Sequence, residues 1–344
     1  MLTAKVINSR VVVEQHNPPV CNENEVVVRM RSCGLCGSDL EKVYGSYSMQ
    51  SHRIGHEPAG EIIKVGRKVI GFSIGDRVFV HHHVSCYSCA YCSHGDYTMC
   101  DMYQKSNLEP CGLSEEFLVP EWNIIRGGLL RLPDNISYDQ AALIEPLGCC
   151  IRGFNKIAIK RGDNIAIIGA GPTGIMHLML AQRAGAGQIF IFDINDFRLE
   201  FAHSYERTFA FNPRQPIDIV GRIKELSTGI GVDSTIIATS NPEALALALK
   251  INRKGGKILM FGVPPNDFIA NLKLSLLYSN ELTLCSSYGC SEIETNNALT
   301  LISENTVDIR PLITHRFDIT KAAEAFRCAH DANSAMKVII TSRV

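Results

Sequence analysis

The chain has 344 residues, 46% of them hydrophobic and 20% charged, and its 34 Lys and Arg nearly balance 35 Asp and Glu, for a net charge of −1. A chain of this size buries a large core and divides into about two domains, while the near-neutral charge and the lack of a Lys/Arg stripe argue against nucleic-acid partners. No apolar run reaches the ~18 residues that span a bilayer, and residues 1–10 lack the basic and apolar regions of an export signal, so a cytoplasmic location without membrane partners is expected. Thirteen cysteines in such a chain fit metal ligation in a reducing compartment better than a disulfide framework.

From residue 1 to about 143, short β-rich runs at 25–30, 59–65 and 77–80 are broken at close intervals by Gly, Pro and Asp, the pattern of a compact β-barrel-like unit. Within it, Cys33, Cys36, Ser38 and Asp39 are followed by Gly55, His56 and Glu57. That stretch offers thiolate, imidazole and carboxylate in a short span, residue types suited to catalytic zinc. Cys33 and Cys36 also have the spacing of a redox dithiol, without the helix-start setting that such motifs use. His81, His82 and His83 come next, and because alternate residues of a strand face opposite ways, all three are read as structural.

Cys86, Cys89, Cys92 and Cys100 stand in a C-x2-C-x2-C-x7-C frame. Four thiolates at this spacing close a tetrahedral zinc site with no position left for water or substrate, so the expected role is structural, in a lobe spanning 81–111. Two disulfides, or a nucleic-acid-binding zinc ribbon, are the alternatives, the latter opposed by the charge balance.

From about residue 148 the pattern becomes strand, turn, helix, strand: apolar runs at 164–168 and 188–193 flank a helical stretch at 175–184, and further runs follow at 232–239, 257–263 and 282–286. Such alternation predicts an α/β, doubly wound, mostly parallel sheet. Gly169, Gly171 and Gly174, with Ala170, Pro172 and Thr173 between them, follow the first strand and open the helix, and Asp193 ends the next strand. This is the setting of a dinucleotide-binding turn. Gly169 allows the turn, Gly171 lets the backbone approach a pyrophosphate, and Gly174 brings helix and strand together. Asp193 would accept hydrogen bonds from free ribose hydroxyls and repel a 2′-phosphate, favouring NAD over NADP. Arg198 reads either as a group stacking near the adenosine or as a surface ion pair; Val263 is a further expected cofactor contact. The tail carries an apolar run at 313–317, a helix-like stretch at 321–330, and a β-branched run at 337–341 that is able to return to the first unit.

These motifs together resemble the zinc-containing medium-chain dehydrogenases, which include alcohol, sorbitol and threonine dehydrogenases. The likeness covers nearly the whole chain and adds Gly75-Asp76-Arg77-Val78, Glu145-Pro146-Leu147 and Thr314-His315-Arg316-Phe317 to the features above. It implies a GroES-like catalytic domain from residues 1–147 and 287–344, a Rossmann NAD-binding domain from 148–286, and an active-site cleft at their junction. It also implies the zinc ligands: Cys36, His56 and Glu145, with Glu57 in or just behind the ligand shell and Asp39 orienting His56. Cys149 and Cys150 compete with Glu145 for the last position, where ethanol-type members carry a cysteine. Ser38 is the expected proton-relay hydroxyl; Glu41 stands where alcohol and sorbitol dehydrogenases usually have a histidine.

The expected enzyme carries two zincs, one catalytic and one structural, and oxidises a secondary hydroxyl of a polyol, sugar or cyclitol, a substrate that the polar and aromatic set Tyr44, Tyr47, His52 and Tyr288 suits. Threonine 3-dehydrogenase and simple secondary alcohol dehydrogenase are the alternatives within the family. A zinc-free reductase or a non-catalytic NAD-binding or structural protein are those outside it. A homodimer or homotetramer joined through the strand at 282–286 is implied.

Overall fold

The structure, a computed structural model, describes residues 1–45 and 53–342; Tyr47 and His52 lie outside the described residues. The chain forms two compact units, Met1–Gly148 with Gly289–Val344, and Cys149–Tyr288.

In the first unit one long strand organises the sheet. Val26–Gly34 pairs antiparallel with Glu57–Val65 along one edge, while its other edge is divided: Val26 to Arg29 pair with Glu116–Val119, and Ser32 to Gly34 pair with Lys337–Thr341. Register shifts at Val27/Val28 and Met30/Ser32 mark irregularities of the kind that bend and twist a strand, which suits a sheet that must curl. The sheet continues through Arg77–Val80 and Leu129–Arg131 on one side and Ile313–Asp318 on the other. Val26, Val28 and Met30, two residues apart and so on one face, join Val78, Val80, Phe117, Val119 and Ile340 in a single buried core. Early helices are short, as the sparse helix signals predict: Gly37–Tyr44, Asp101–Lys105 and Glu121–Ile125 are examples.

The second unit holds a six-stranded parallel sheet in the spatial order Thr208–Phe211, Ile189–Phe192, Ile165–Ile168, Val232–Ile237, Asn252–Met260 and Thr283–Ser286. Ile165–Ile168 and Ile189–Phe192 are buried throughout, with unbroken apolar sequences, as a parallel sheet covered on both faces requires. Ile165–Ile168 is the first strand of this sheet in sequence, and the order reverses direction beside it, which makes its carboxyl end the switch point where such sheets bind ligands. The helix that follows starts earlier than the apolar periodicity indicates, at Pro172–Arg183, because proline at a first helical position gives up only an N–H that would lack a partner anyway. The strand expected at 257–263 runs instead over Asn252–Met260, so Val263 lies beyond it in a segment where it is 48% exposed. Among the described residues no helix is long and apolar enough to cross a membrane.

His177, on the helix Pro172–Arg183, is fully buried with its ring edge-on to Phe261 at 4.6 Å, and neither ring nitrogen finds a hydrogen-bond partner among the described residues. Burial lowers its pKa to about 3. The folded protein therefore holds His177 neutral, whereas the unfolded chain protonates it below the ordinary value of 6.5, so stability is lost as pH falls from there. At pH 5 the cost is about 2 kcal/mol, 1.5 pH units at about 1.36 kcal/mol each. A His177→Leu variant is expected to lose that much less stability than the wild type between pH 7 and 5, read from thermal midpoints; equal losses in the two proteins would disprove it.

Candidate metal centres and nucleotide site

The lobe carrying Cys86, Cys89, Cys92 and Cys100 is built around its sulfurs. The four Sγ atoms all lie within 4.8 Å of one another, with Cys89 to Cys92 at 3.6 Å and Cys86 to Cys92 at 3.9 Å. A zinc–sulfur tetrahedron with bonds of about 2.3 Å has edges of about 3.8 Å, so the donors fit the ion. Two backbone N–H groups, of Cys86 and Ser88, donate to Cys100 Sγ and Cys86 Sγ at 3.4 Å, the usual support for thiolate charge. Apart from the cysteines, the local buried cluster holds only Tyr103, with Tyr97 and Met102 packed against it. Among the described residues there is no disulfide.

Cys36, His56 and Glu57 come together from three backbone settings: the residue before the helix Gly37–Tyr44, the loop after Gly55, and the first position of the strand Glu57–Val65. Their donor atoms lie within 4.8 Å of one another. Behind His56, fully buried Asp39 faces Nδ1 at 3.4 Å and accepts from the Gly55 N–H, also at 3.4 Å. Burial alone would raise the Asp39 carboxyl, but the charge and hydrogen bond of His56, with Lys42, hold its pKa at about 2. That leaves the Nε2 side of His56 for a ligand, the arrangement in which a carboxylate fixes a metal-binding histidine. Glu57 Oε1 is buried with no hydrogen-bond partner among the described residues, an orphan acceptor beside a thiol and an imidazole that a cation would satisfy.

Lys337 is the functional residue that the sequence did not disclose. It opens the strand Lys337–Thr341, is fully buried, sits with Nζ 2.5 Å from Glu57 Oε2, and donates to the Leu35 carbonyl at 2.9 Å. Burial works against its charge, but Glu57 and Cys36 outweigh that and raise its pKa; burial raises Glu57, and Lys337 and His56 oppose that rise. A lysine leading an apolar strand was the available signal, since a lysine is rarely buried without a carboxylate partner.

Glu145 is placed differently from the other expected ligands. Its carboxylate, near the head of the helix Ile144–Ile157, lies within 4.8 Å of donor atoms of His81 and Cys290, and all three residues are buried. His81 is therefore not simply a strand residue: Arg77–Val80 ends before it, so the alternation argument does not extend to it. The rings of His82 and His83 lie 3.9 Å apart, tilted by 39°, and burial lowers the pKa of both. Cys150 points its thiol to the Thr173 carbonyl at 3.6 Å, and neither it nor Cys149 joins a donor cluster among the described residues. Ser38 is half-buried in the first turn of Gly37–Tyr44. Tyr44 stacks on His330 at 4.0 Å, and Tyr288 is exposed.

In the second unit Gly169 takes φ +106, and a side chain there would collide with the Ala238 carbonyl. Gly171 is open except for Arg198, so the backbone before Pro172 and Thr173 is free to receive a phosphate at the helix N-terminus. Gly174 packs on the Gly169 carbonyl with no room for a Cβ. Asp193 accepts from the N–H groups of Ala170 at 2.8 Å and Asn195 at 2.9 Å, and Arg198 lies 3.9 Å from it. Arg198 thus spans from the glycine turn to Asp193, rather than pointing away over the helix.

A curled sheet unit presenting Cys/His/Glu donors and a four-cysteine lobe, joined in one chain to a parallel sheet with a dinucleotide turn, defines a zinc-dependent dehydrogenase. The chain belongs to the zinc-containing medium-chain dehydrogenase family, whose members oxidise CH–OH groups: residues 22–134 match the alcohol dehydrogenase GroES-like domain and residues 172–304 the zinc-binding dehydrogenase domain. It is 31% identical to a sorbitol dehydrogenase of Bacillus subtilis over 350 aligned positions, covering 99% of this chain and 97% of that one. It is 30% identical to an L-threonine 3-dehydrogenase of Escherichia coli, covering 94% of each. Among solved structures, an alcohol dehydrogenase from Thermus sp. ATN1 superposes with a TM-score of 0.86 at 26% identity, covering 100% of both chains.

Removing one member of a buried ion pair strands the other. Lys337→Met is expected to destabilise the protein by about 3–5 kcal/mol, and the double variant Glu57→Gln/Lys337→Met to recover most of that loss in denaturant unfolding. A double variant no more stable than the single would show that the pair is not what Lys337 contributes.

Proposed function

We propose that the protein oxidises a secondary hydroxyl of a polyol, sugar or cyclitol to the ketone with NAD as acceptor, using one zinc at Cys36, His56 and Glu145 with Glu57 as an alternate ligand, and a second, structural zinc at Cys86, Cys89, Cys92 and Cys100. The observation that carries this is the Cys36–His56–Glu57 cluster with Asp39 behind His56. Zinc bound there supplies a Lewis acid that makes a hydroxyl acidic near neutral pH. Bound NAD supplies the hydride acceptor.

The chain's own groups do the rest. Asp39 accepts from Nδ1–H of His56 and so keeps Nε2 as the ligating nitrogen. Lys337 sets a positive charge against Glu57 and opposes the rise that burial gives its pKa. Ser38 Oγ takes the hydroxyl proton of the substrate while passing its own toward solvent. Glu41, standing where the family usually has a histidine, lays its carboxylate against Gly45 at the end of the same helix, which favours direct release from Ser38 over a relay through Glu41. Gly171, Pro172, Thr173 and the helix N-terminus receive the pyrophosphate, and Asp193 the ribose hydroxyls, with Arg198 and Val263 beside the dinucleotide.

Similarity to a sorbitol dehydrogenase supports the polyol class, and similarity to an L-threonine 3-dehydrogenase makes threonine the second substrate to test. The strand Thr283–Ser286 lies at the sheet edge, and Ile269, Leu274 and Tyr278 in the segment leading to it are strongly exposed; unpaired edges and apolar surface of this kind call for cover. We therefore propose a homodimer or homotetramer built on that edge. The cysteines gathered as metal donors fit a reducing, cytoplasmic setting, which we propose for the protein.

Purified protein is expected to reduce NAD with at least one secondary polyol or cyclitol, Cys36→Ala to abolish this, and Asp39→Asn to cost about 10–100-fold in zinc affinity or activity. Turnover of threonine alone would replace the polyol class, and no turnover of any alcohol by zinc-loaded protein would overturn the proposal. Asp193→Ala is expected to shift the NAD to NADP preference toward NADP by about tenfold or more in kcat/KM, about 1.4 kcal/mol; an unchanged ratio would remove Asp193 from cofactor selection.

A further inference from the structure

We propose that His81, Cys290 and Glu145 form a third transition-metal site in the first unit, separate from the Cys36–His56 centre and from the four-cysteine lobe. The three donors repeat the set found at Cys36, His56 and Glu57: one thiol, one imidazole, one carboxylate, with donor atoms within 4.8 Å of one another. They also repeat its outer support. Nδ1 of His81 faces Glu292 Oε1 at 2.6 Å, as Nδ1 of His56 faces Asp39, so Nε2 is again the nitrogen left to ligate. That Nε2 lies 3.8 Å from Cys290 Sγ. Nitrogen and sulfur bound to one zinc at about 2.0–2.3 Å in a tetrahedron are about 3.5 Å apart, so the pair closes on an ion with a small shift.

The surroundings are fixed as a ligand site requires. Tyr87 donates its hydroxyl to Glu292, which holds the carboxylate against His81. The His81 backbone is anchored on both sides, its N–H donating to the Gly128 carbonyl at 2.7 Å and its carbonyl accepting from Asn123 Nδ2 at 3.0 Å. Gly148 keeps space for the thiol, since a Cβ there would come within 3.2 Å of Cys290 Sγ. His81 and Cys290 are fully buried and Glu145 nearly so. Thiolate, imidazole and carboxylate together select zinc or cobalt over calcium or magnesium. Three protein donors leave a position open, so the ion exchanges more readily than one held by four thiolates. Because Glu145 is also the carboxylate assigned to the Cys36–His56 zinc, this site rests on that reading in one respect: Glu145 offers one oxygen to each ion, or moves between them.

Zinc per chain, counted after equilibrium dialysis against a fixed free-zinc concentration, tests this without recourse to activity. The wild type is expected to hold three ions, one for each donor cluster, Cys36→Ser and Cys290→Ser two each, and the double variant one. Equal zinc in the wild type and Cys290→Ser, and in Cys36→Ser and the double variant, would overturn the site and leave a hydrogen-bonded network in its place. A count lowered by Cys290→Ser but not by Cys36→Ser would keep this site and reject the Cys36 centre instead. Should Cys290→Ser fail to fold, His81→Gln gives the same counts by removing the imidazole, and cobalt bound by Cys36→Ser with a thiolate-to-metal absorption band beyond that of the four-cysteine lobe, lost in Cys36→Ser/His81→Gln, reports the same ion.

Discussion

A buried carboxylate without a partner costs several kcal/mol, and the first unit buries Asp39, Glu57, Glu145 and Glu292. The geometry of the candidate metal centres follows from how these charges are met. Asp39 is met by His56, Lys42 and the Gly55 N–H, Glu57 by Lys337, and Glu292 by His81 and Tyr87. Asp39 and Glu292 each hold an imidazole by one nitrogen and so aim the other at a thiol. What would be a liability in an ordinary core becomes a means of orienting ligands, because a side chain fixed by a buried ion pair has little freedom left to lose when an ion binds.

The second unit meets its binding requirement without buried charge pairs of this kind. Its glycine turn presents N–H groups at a helix start, and the acidic Asp193 is already tied to the turn by the Ala170 N–H. Turn, helix and acidic residue thus form one hydrogen-bonded piece, set at the reversal of strand order where an open parallel sheet leaves a crevice.

What could be read from the sequence was what is local in it. The four-cysteine lobe lies within fifteen residues, from Cys86 to Cys100, and the glycine turn within six, from Gly169 to Gly174, so spacing alone carries their geometry. The alternation of strands and helices after residue 148 likewise announces the parallel sheet. Cys36 and His56 were legible as residue types but not as neighbours, and Lys337 and the His81–Cys290 pair not at all, because only strand pairing and chain return bring them together. Strand alternation does not apply at His81, because the strand stops at Val80 and the His81 N–H bonds the Gly128 carbonyl. Glu145 was assigned by resemblance, and the structure sets it beside His81 and Cys290.

The divided edge of the strand Val26–Gly34 has a consequence for the order in which the molecule can be made. Half of that edge waits for Lys337–Thr341, which is synthesised only after the whole of Cys149–Tyr288, whereas that second unit is contiguous and can fold as soon as it emerges. During synthesis the first unit must therefore persist as an open sheet, with Glu57 lacking its cation, while the second completes itself. A chain cut short before residue 337 would keep its contiguous second unit and lose the cation that partners Glu57, so closing the first unit is tied to having made the second.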